Sequence, residues 1–326
     1  MPQQERPAHQ LAQLVEELRS SRVFAGKRAI STIARQFGGQ VPSHGILNGD
    51  DAAAIPDGDG YLLLAAEGIA PWLIESDPYL AGRSAVLANV NDIYAMGGRP
   101  LAMVDVICNA SEERTRAIFR GMQDNADRLG VPLVGGHTSD GDGEASLALA
   151  ILGRARRLLT SFDACAGDLL VLAYNQKGTF LEQHGFWNSS GERGDLELRG
   201  DLELLPQVAE LGLSRAGKDV SMAGVAGTAL MLAESSRLGL SIDLERLAAP
   251  PAVPVEKWLL AFFSYGFLLA VPPQNLAEVQ DLFASRGLRA DQIGRFRGGS
   301  QLGLAMGGVE RTLWDWSEEE FTGFGK

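Results

Sequence analysis

Asp50 and Asp51 are adjacent in NGDDAAAIPDGDG, residues 48–60, with Asp57 and Asp59 close behind. Two neighbouring carboxylates repel each other unless water or a cation neutralises them. Further acids stand apart in sequence: Asp92 follows Asn91 in ANVNDIYAMGGRP, and Asp219 lies in KDVSMAGVAG, ahead of a Gly/Ala-rich helix start. A helix start has free N–H groups that suit a phosphate. VGGHTSDGDG, 134–143, reads as a glycine-rich turn bearing oxygen and nitrogen donors. Hard divalent cations take carboxylate and carbonyl oxygens, and Mg²⁺ commonly shares its shell with substrate phosphates. Residue types and spacing leave two readings open: Mg²⁺–nucleotide chemistry, or solvated acidic turns. Neither a Walker A motif nor a GxGxxG fingerprint occurs, so the familiar nucleotide folds are not indicated.

The elements that would position these residues follow from periodicity. Leu11, Leu14, Val15 and Leu18 predict an amphipathic helix over 8–20. YLLLAA, 61–66, reads as a buried strand and 79–96 as a helix closed by Gly97–Gly98, with Leu87, Val90, Ile93 and Met96 as its apolar face beside Asp92. LAMVDVI, 101–107, is strand-like. Ser111 is a good N-cap for a helix ending near Gly130. Two strands, 131–134 and 145–152, flank the loop GGHTSDGDGE. The pattern pauses at GRARRLLTSFDACAG, which places a domain boundary there, giving domains 1–155 and 156–326. The second half predicts strands at 168–174, 239–243, 267–271 and 288–298, and helices at 223–237, 255–263 and 275–285. Between them lies a loop-rich region, 183–201, where Arg193–Leu198 is repeated as Arg199–Leu204. Two copies of six residues are too few for a solenoid. Strands and helices mix in both halves, so the fold class is α/β (α+β) in two domains.

The chain has 326 residues, enough for about two domains. Its formal net charge of −12 and pI near 4.9 argue against nonspecific binding to nucleic acid or an anionic membrane. Cys108 and Cys165 fit neither a disulfide framework nor a zinc knuckle. No apolar run approaches a membrane span, and the N-terminal stretch lacks a signal peptide's apolar core, which places the protein in the cytoplasm by default.

The order GDDAA, NDIYAMGGRP, GGHT, KDVSMAGVAG resembles the AIR synthase superfamily of ATP-binding proteins, over roughly residues 25–300. That group includes aminoimidazole ribonucleotide synthetase, thiamine-monophosphate kinase, selenophosphate synthetase and a hydrogenase-maturation dehydratase. The resemblance implies an N-terminal domain that pairs with its copy into a shared β-barrel in a homodimer, and a C-terminal α/β sandwich. It implies ATP and Mg²⁺ as cofactors. Asp51 and Asp92 match Mg²⁺ ligands that take part in catalysis, with Asp50 beside Asp51, and Asp219 matches a C-domain ligand. Asn91 and Ser221 match nucleotide contacts, as do Gly135, Gly136, His137 and Thr138 of GGHT. Glu67 stands where relatives place Thr-Asp, as replacement ligand or surface acid. His137 occupies a position that is acidic in the kinase, and is read either as a catalytic contact or as a plain loop histidine. Lys27, Arg83 and Arg156–Arg157 are candidate phosphate cations. The kinase's Gly-Gly-Glu-Asp and Ser-Asp-Gly are replaced by Ser264–Tyr265–Gly266–Phe267 and Ser221–Met222–Ala223. The N-terminal Cys and Lys motif of selenophosphate synthetase is absent too, so each named activity lacks a signature.

Two functions are therefore expected. The first is an ATP- and Mg²⁺-dependent enzyme that phosphorylates or activates a small molecule met by the loop 182–194. The second is a nucleotide-binding partner protein without turnover, or else a kinase of the thiamine-monophosphate type.

Overall fold

The computed structural model describes residues 5–37, 46–141, 143–250 and 253–325. Asp142, in the GGHTSDGDGE loop, lies outside them. Two compact units form. One comprises Asp51–Leu158 with Arg193–Glu210; the other comprises the N-terminal residues through Asp50 with Leu159–Glu192 and Leu211–Lys326.

The first unit is built on a five-stranded sheet in the spatial order Ala53–Asp57, Gly60–Gly68, Ser146–Ala155, Arg99–Cys108, Leu133–Ser139. Only the last pair is parallel. Alternation decides what each strand contributes. Leu63, Ala65, Met103, Ile107, Leu147, Leu149 and Ile151 are buried on one face. Leu64, Val104, Val106 and Leu152 stand out on the other, between 38% and 49% exposed. Helix Pro78–Ala95 packs against the buried face and helix Glu112–Leu129 packs against that helix. Where the two helices cross, a Cβ on Gly82 or Gly121 would collide with the facing backbone, which explains small residues at both positions. Asp77 and Ser111 cap the two helix starts, and Gly130, at φ 72°, ends the second.

The duplicated hexapeptide belongs to this unit and carries the start of helix Asp195–Leu202. Its two arginines do different work. Arg193 of the first copy makes a two-point pair, at 2.6 Å each, with buried Asp201 of the second. Arg199 donates to the carbonyl of Arg128, satisfying the end of helix Glu112–Leu129.

The second unit holds a seven-stranded sheet in the order Val309–Asp315, Gln301–Met306, Gly239–Asp243, Arg289–Arg297, Leu169–Tyr174, Gly266–Val271, Ala216–Asp219. Leu169–Tyr174 and Gly266–Val271 are buried at every position, as their continuous apolar runs require. Helices Glu5–Ser20 and Gly224–Ser235 share one core with the sheet, through Leu11, Leu14, Leu18, Ala229, Leu230 and Leu232. A small three-stranded sheet, Phe262–Phe263, Phe186–Asn188 and Thr179–Leu181, lies in the same unit.

Most predicted elements are present within a few residues of their expected bounds. Two readings are corrected. The stretch expected to be a glycine turn, Gly135–Gly136–His137–Thr138, is extended backbone inside the edge strand Leu133–Ser139. Parallel pairing with Arg99–Cys108 supplies its hydrogen bonds, so the pair is no turn, and only Gly136 serves a close approach. The expected helix 255–263 ends at Leu260, and Phe262–Phe263 pairs as strand. Among the described residues neither large sheet closes on itself: the five-stranded one ends in the edges Ala53–Asp57 and Leu133–Ser139.

Candidate functional site

In the first unit the structure brings Asp51 and Asp92 together, each offering a carboxylate oxygen within 4.8 Å of the other. Asp51 sits in the bend just before strand Ala53–Asp57 and is half-buried. Asp92 lies in the last turns of helix Pro78–Ala95 and is buried. That helix is buried nearly all round, so Asn91 and Asp92 are enclosed along with its apolar face. One turn earlier, Asn89 is fully buried; its Nδ2 donates to the Ala85 carbonyl at 2.9 Å. Its side-chain oxygen has no hydrogen-bond partner among the described residues. Two close carboxylates offer oxygen donors alone, which fits Mg²⁺ and not a soft metal.

A second group runs across the sheet in register: Glu67, Leu149, Asp105, Gly136. Directly opposed residues share a face. Asp105 was missed by sequence reading. Only 7% exposed, it has its pKa raised, first by burial, with a backbone hydrogen bond opposing. A Cβ on Gly136 would collide with the Asp105 carboxylate, so glycine there makes room for the acid. An aspartate interrupting the buried alternation Met103, Asp105, Ile107 was the signal available in LAMVDVI. Glu67 is exposed at the far end of the row. His137 pairs with Val106 and is exposed, on the opposite face from Asp105; Thr138 pairs with Ile107. Gly135 pairs with Val104 and has open space where a Cβ would stand.

In the second unit Asp219 ends the strand Ala216–Asp219 and is buried. Ser221 follows it, and the Lys27 ammonium donates to the Ser221 hydroxyl at 3.2 Å. Lys27, one of the candidate phosphate cations, is thereby located beside a candidate nucleotide contact. Ala223 has φ 76° and Gly224 φ 61°, so two successive left-handed residues turn the chain into helix Gly224–Ser235. A non-glycine residue in that conformation stores strain, which recurs at ligand-binding turns. Asp50 is turned to other work: its carboxylate accepts from the Ser161 N–H at 2.7 Å and the Ser161 hydroxyl at 2.5 Å. The buried Lys218 ammonium donates to the same hydroxyl at 3.5 Å.

Of the other cations, Arg83 donates to Asn125 at 3.1 Å and ties the two helices of the first unit together. Arg156 lines a cavity of about 370 Å³ with Arg99, Arg154 and Glu210, and Arg157 is exposed. Loop 182–194 is held in place. The buried Ser264 hydroxyl accepts from the N–H groups of Ser189 at 3.0 Å and Ser190 at 3.1 Å, and Trp187 donates to the Asn175 carbonyl at 2.9 Å.

Two mixed α/β units, one presenting paired carboxylates at a strand start and a helix end, describe a two-domain protein of the AIR synthase type. The chain belongs to the AIR synthase-related family: the model of its N-terminal domain matches residues 49–155 and that of its C-terminal domain residues 166–307. It is 44% identical to the uncharacterised Synechocystis protein sll0787, covering 96% of this chain and 98% of that one. It is 26% identical to a thiamine-monophosphate kinase of Pyrococcus horikoshii, covering 76% and 84%. Its fold is like that of T. maritima PurL complexed with ATP, with TM-score 0.69 and 17% identity, covering 84% of this chain and 46% of PurL. The chain thus spans about half the length of PurL. Among the described residues no helix is long and apolar enough to cross a membrane.

Proposed function

We propose that this chain is an ATP- and Mg²⁺-dependent enzyme that phosphorylates or activates an oxygen, amide or acid group of a small molecule. The observation that carries this reading is the approach of Asp51 and Asp92 within 4.8 Å. Family membership supports it, since one relative is a kinase and one protein of like fold is complexed with ATP. Asp51 and Asp92 are the proposed metal ligands, with Asp219 and Glu67 assigned to the same role by resemblance. Bound Mg²⁺ would neutralise charge on the triphosphate as the γ-phosphoryl group leaves. Asn91, Ser221, Gly135, Gly136, His137 and Thr138 are the proposed nucleotide contacts. Lys27 offers a cation to phosphate through the position it holds at Ser221. Asp105, which burial inclines toward the protonated form, is a further candidate in the same sheet.

The proposed assembly is a homodimer in the cytoplasm. Leu64, Val104, Val106 and Leu152 give the open sheet face an apolar surface, and Leu133–Ser139 is an edge strand among the described residues. Both would be covered by a second copy completing a barrel.

A second reading, nucleotide binding without turnover, draws on one observation. Ser264, where the kinase carries its acidic substrate motif, is fully buried and committed to loop contacts. ADP release measured with Mg·ATP and a panel of small-molecule acceptors separates the two. Acceptor-dependent ADP formation is the expected result. Tight Mg·ATP binding with no ADP formed on any acceptor would favour the second.

A further inference from the structure

The segment 317–325 lies beyond the family-matched residues, which end at 307, and it is tied down at unusual expense. Asp315 sets its departure from strand Val309–Asp315. The Asp315 carboxylate accepts from the Ser317 N–H at 3.0 Å, the Ser317 hydroxyl at 2.6 Å and the Ser300 hydroxyl at 2.8 Å. Trp314 then donates to the Glu319 carbonyl at 2.7 Å. Phe321 is fully buried, its ring 5.3 Å from Phe24 and 5.4 Å from Trp314. Glu234, near the end of helix Gly224–Ser235 and 1% exposed, is committed wholly to this segment. Its carboxylate accepts from the N–H groups of Phe321 at 2.7 Å and Thr322 at 2.8 Å, and from the Thr322 hydroxyl at 2.6 Å. A buried carboxylate is costly unless fully hydrogen-bonded, and this one is placed to fix a tail.

The segment ends on the acidic turn. The Phe324 ring occupies the space where a side chain at position 49 would stand, so only glycine fits beneath it. Gly49 has φ 102°, a conformation that other residues rarely adopt. Asp50 and Asp51 follow directly. The segment also holds helix Arg22–Arg28, which carries Lys27, through an ion pair of Glu319 with Arg28 and through Phe321 against Phe24. Phe324 itself is only half-buried.

We infer that the segment 317–325 is a positioning strap: by seating Phe324 on Gly49 it sets the conformation of the Gly49–Asp50 turn, which leads by the next peptide bond into Asp51, and by gripping helix Arg22–Arg28 it fixes the helix that carries Lys27. None of its residues is a catalytic residue; Phe324 and Glu234 act through the groups they hold. The inference rests on the reading of Asp51 as a Mg²⁺ ligand, and the test keeps the two apart. Phe324→Ala, the conservative Phe324→Leu and, as a second route, Glu234→Gln are made in the full chain. Two quantities are measured: backbone hydrogen exchange over 46–51, and ATP affinity by calorimetry with Mg²⁺ and with EDTA. Phe324→Ala should speed exchange at 46–51 by about tenfold or more, with the strands Leu169–Tyr174 and Gly266–Val271 unchanged. It should weaken Mg·ATP binding about tenfold, leaving affinity in EDTA unmoved, and Phe324→Leu should recover most of the loss. Glu234→Gln should act in the same direction. Unchanged exchange at 46–51 in both Phe324→Ala and Glu234→Gln overturns the strap. Faster exchange with undiminished Mg·ATP affinity overturns its positioning role. If the wild-type chain binds ATP equally with and without Mg²⁺, the ligand reading fails, and exchange at 46–51 alone decides whether the strap holds the turn.

Discussion

Two carboxylates held within 4.8 Å, one of them buried, repel strongly wherever the local dielectric is below that of water. A divalent cation reverses the sign of that interaction, and the prediction follows at single residues. Asp51→Asn and Asp92→Asn should each weaken Mg·ATP binding about tenfold or more, read by titration with a nonhydrolysable analogue. Affinity in EDTA should change little. Asp105 gives a test in pH. Burial raises its pKa, so its ionised form is the one the fold disfavours. A raised carboxylate imposes no penalty below its unfolded pKa, and stability is lost as pH rises through the folded value. Asp105→Asn should therefore raise the melting temperature at pH 7, and the gain should shrink as pH falls toward the ordinary carboxylate range. A variant less stable at pH 7 would show that Asp105 is held by charge partners. Asp51 and Asp92 were legible because their neighbours form recognisable motifs. Asp105 was not, because its strand reads as simply apolar and only pairing with Gly136 reveals the room made for it.

Among the elements, the glycine pair of GGHT is the sharpest case. A Cβ on Gly136 meets the Asp105 carboxylate and backbone, whereas one on Gly135 meets nothing within 4 Å. Gly136→Ala should cost about 1–3 kcal/mol by thermal or urea unfolding. Gly135→Ala should stay within about 1 kcal/mol of wild type. If Gly135 approaches a nucleotide, Gly135→Ala will also weaken ATP binding without loss of stability. Equal melting temperatures for the two variants would contradict the register described. Long periodic runs made most elements readable: Leu169–Tyr174 and helix Glu112–Leu129 lie close to their expected bounds. The misses have a common physical cause. Ala216–Asp219, with Lys218 and Asp219 in four residues, has no apolar pattern and is a strand because Gly266–Val271 pairs with it. GGHT reads as a turn by composition and is an edge strand because Arg99–Cys108 supplies a parallel partner. Gln301–Met306 and Val309–Asp315, beyond the expected closing strand, likewise owe their form to pairing with each other.

For the whole molecule, an open sheet face bearing Leu64, Val104, Val106 and Leu152 predicts self-association. Light scattering at micromolar concentration should give a dimer, and Val106→Asp should give a monomer, since a charge would then be buried unpaired. A wild-type monomer would contradict the shared barrel. The kinase-like sequence pattern also invites a specific negative prediction. With Ser264 buried in loop contacts and Met222 exposed where an acid would be needed, conversion of thiamine monophosphate should be slower than in a genuine kinase by about a thousandfold or more. The measurement that bears most directly on the central claim is calorimetric titration of the wild-type chain with ATP, with Mg²⁺ and with EDTA. The account predicts saturable binding that Mg²⁺ strengthens by about tenfold or more, a difference of about 1.4 kcal/mol at least. Equal affinity under the two conditions would contradict it.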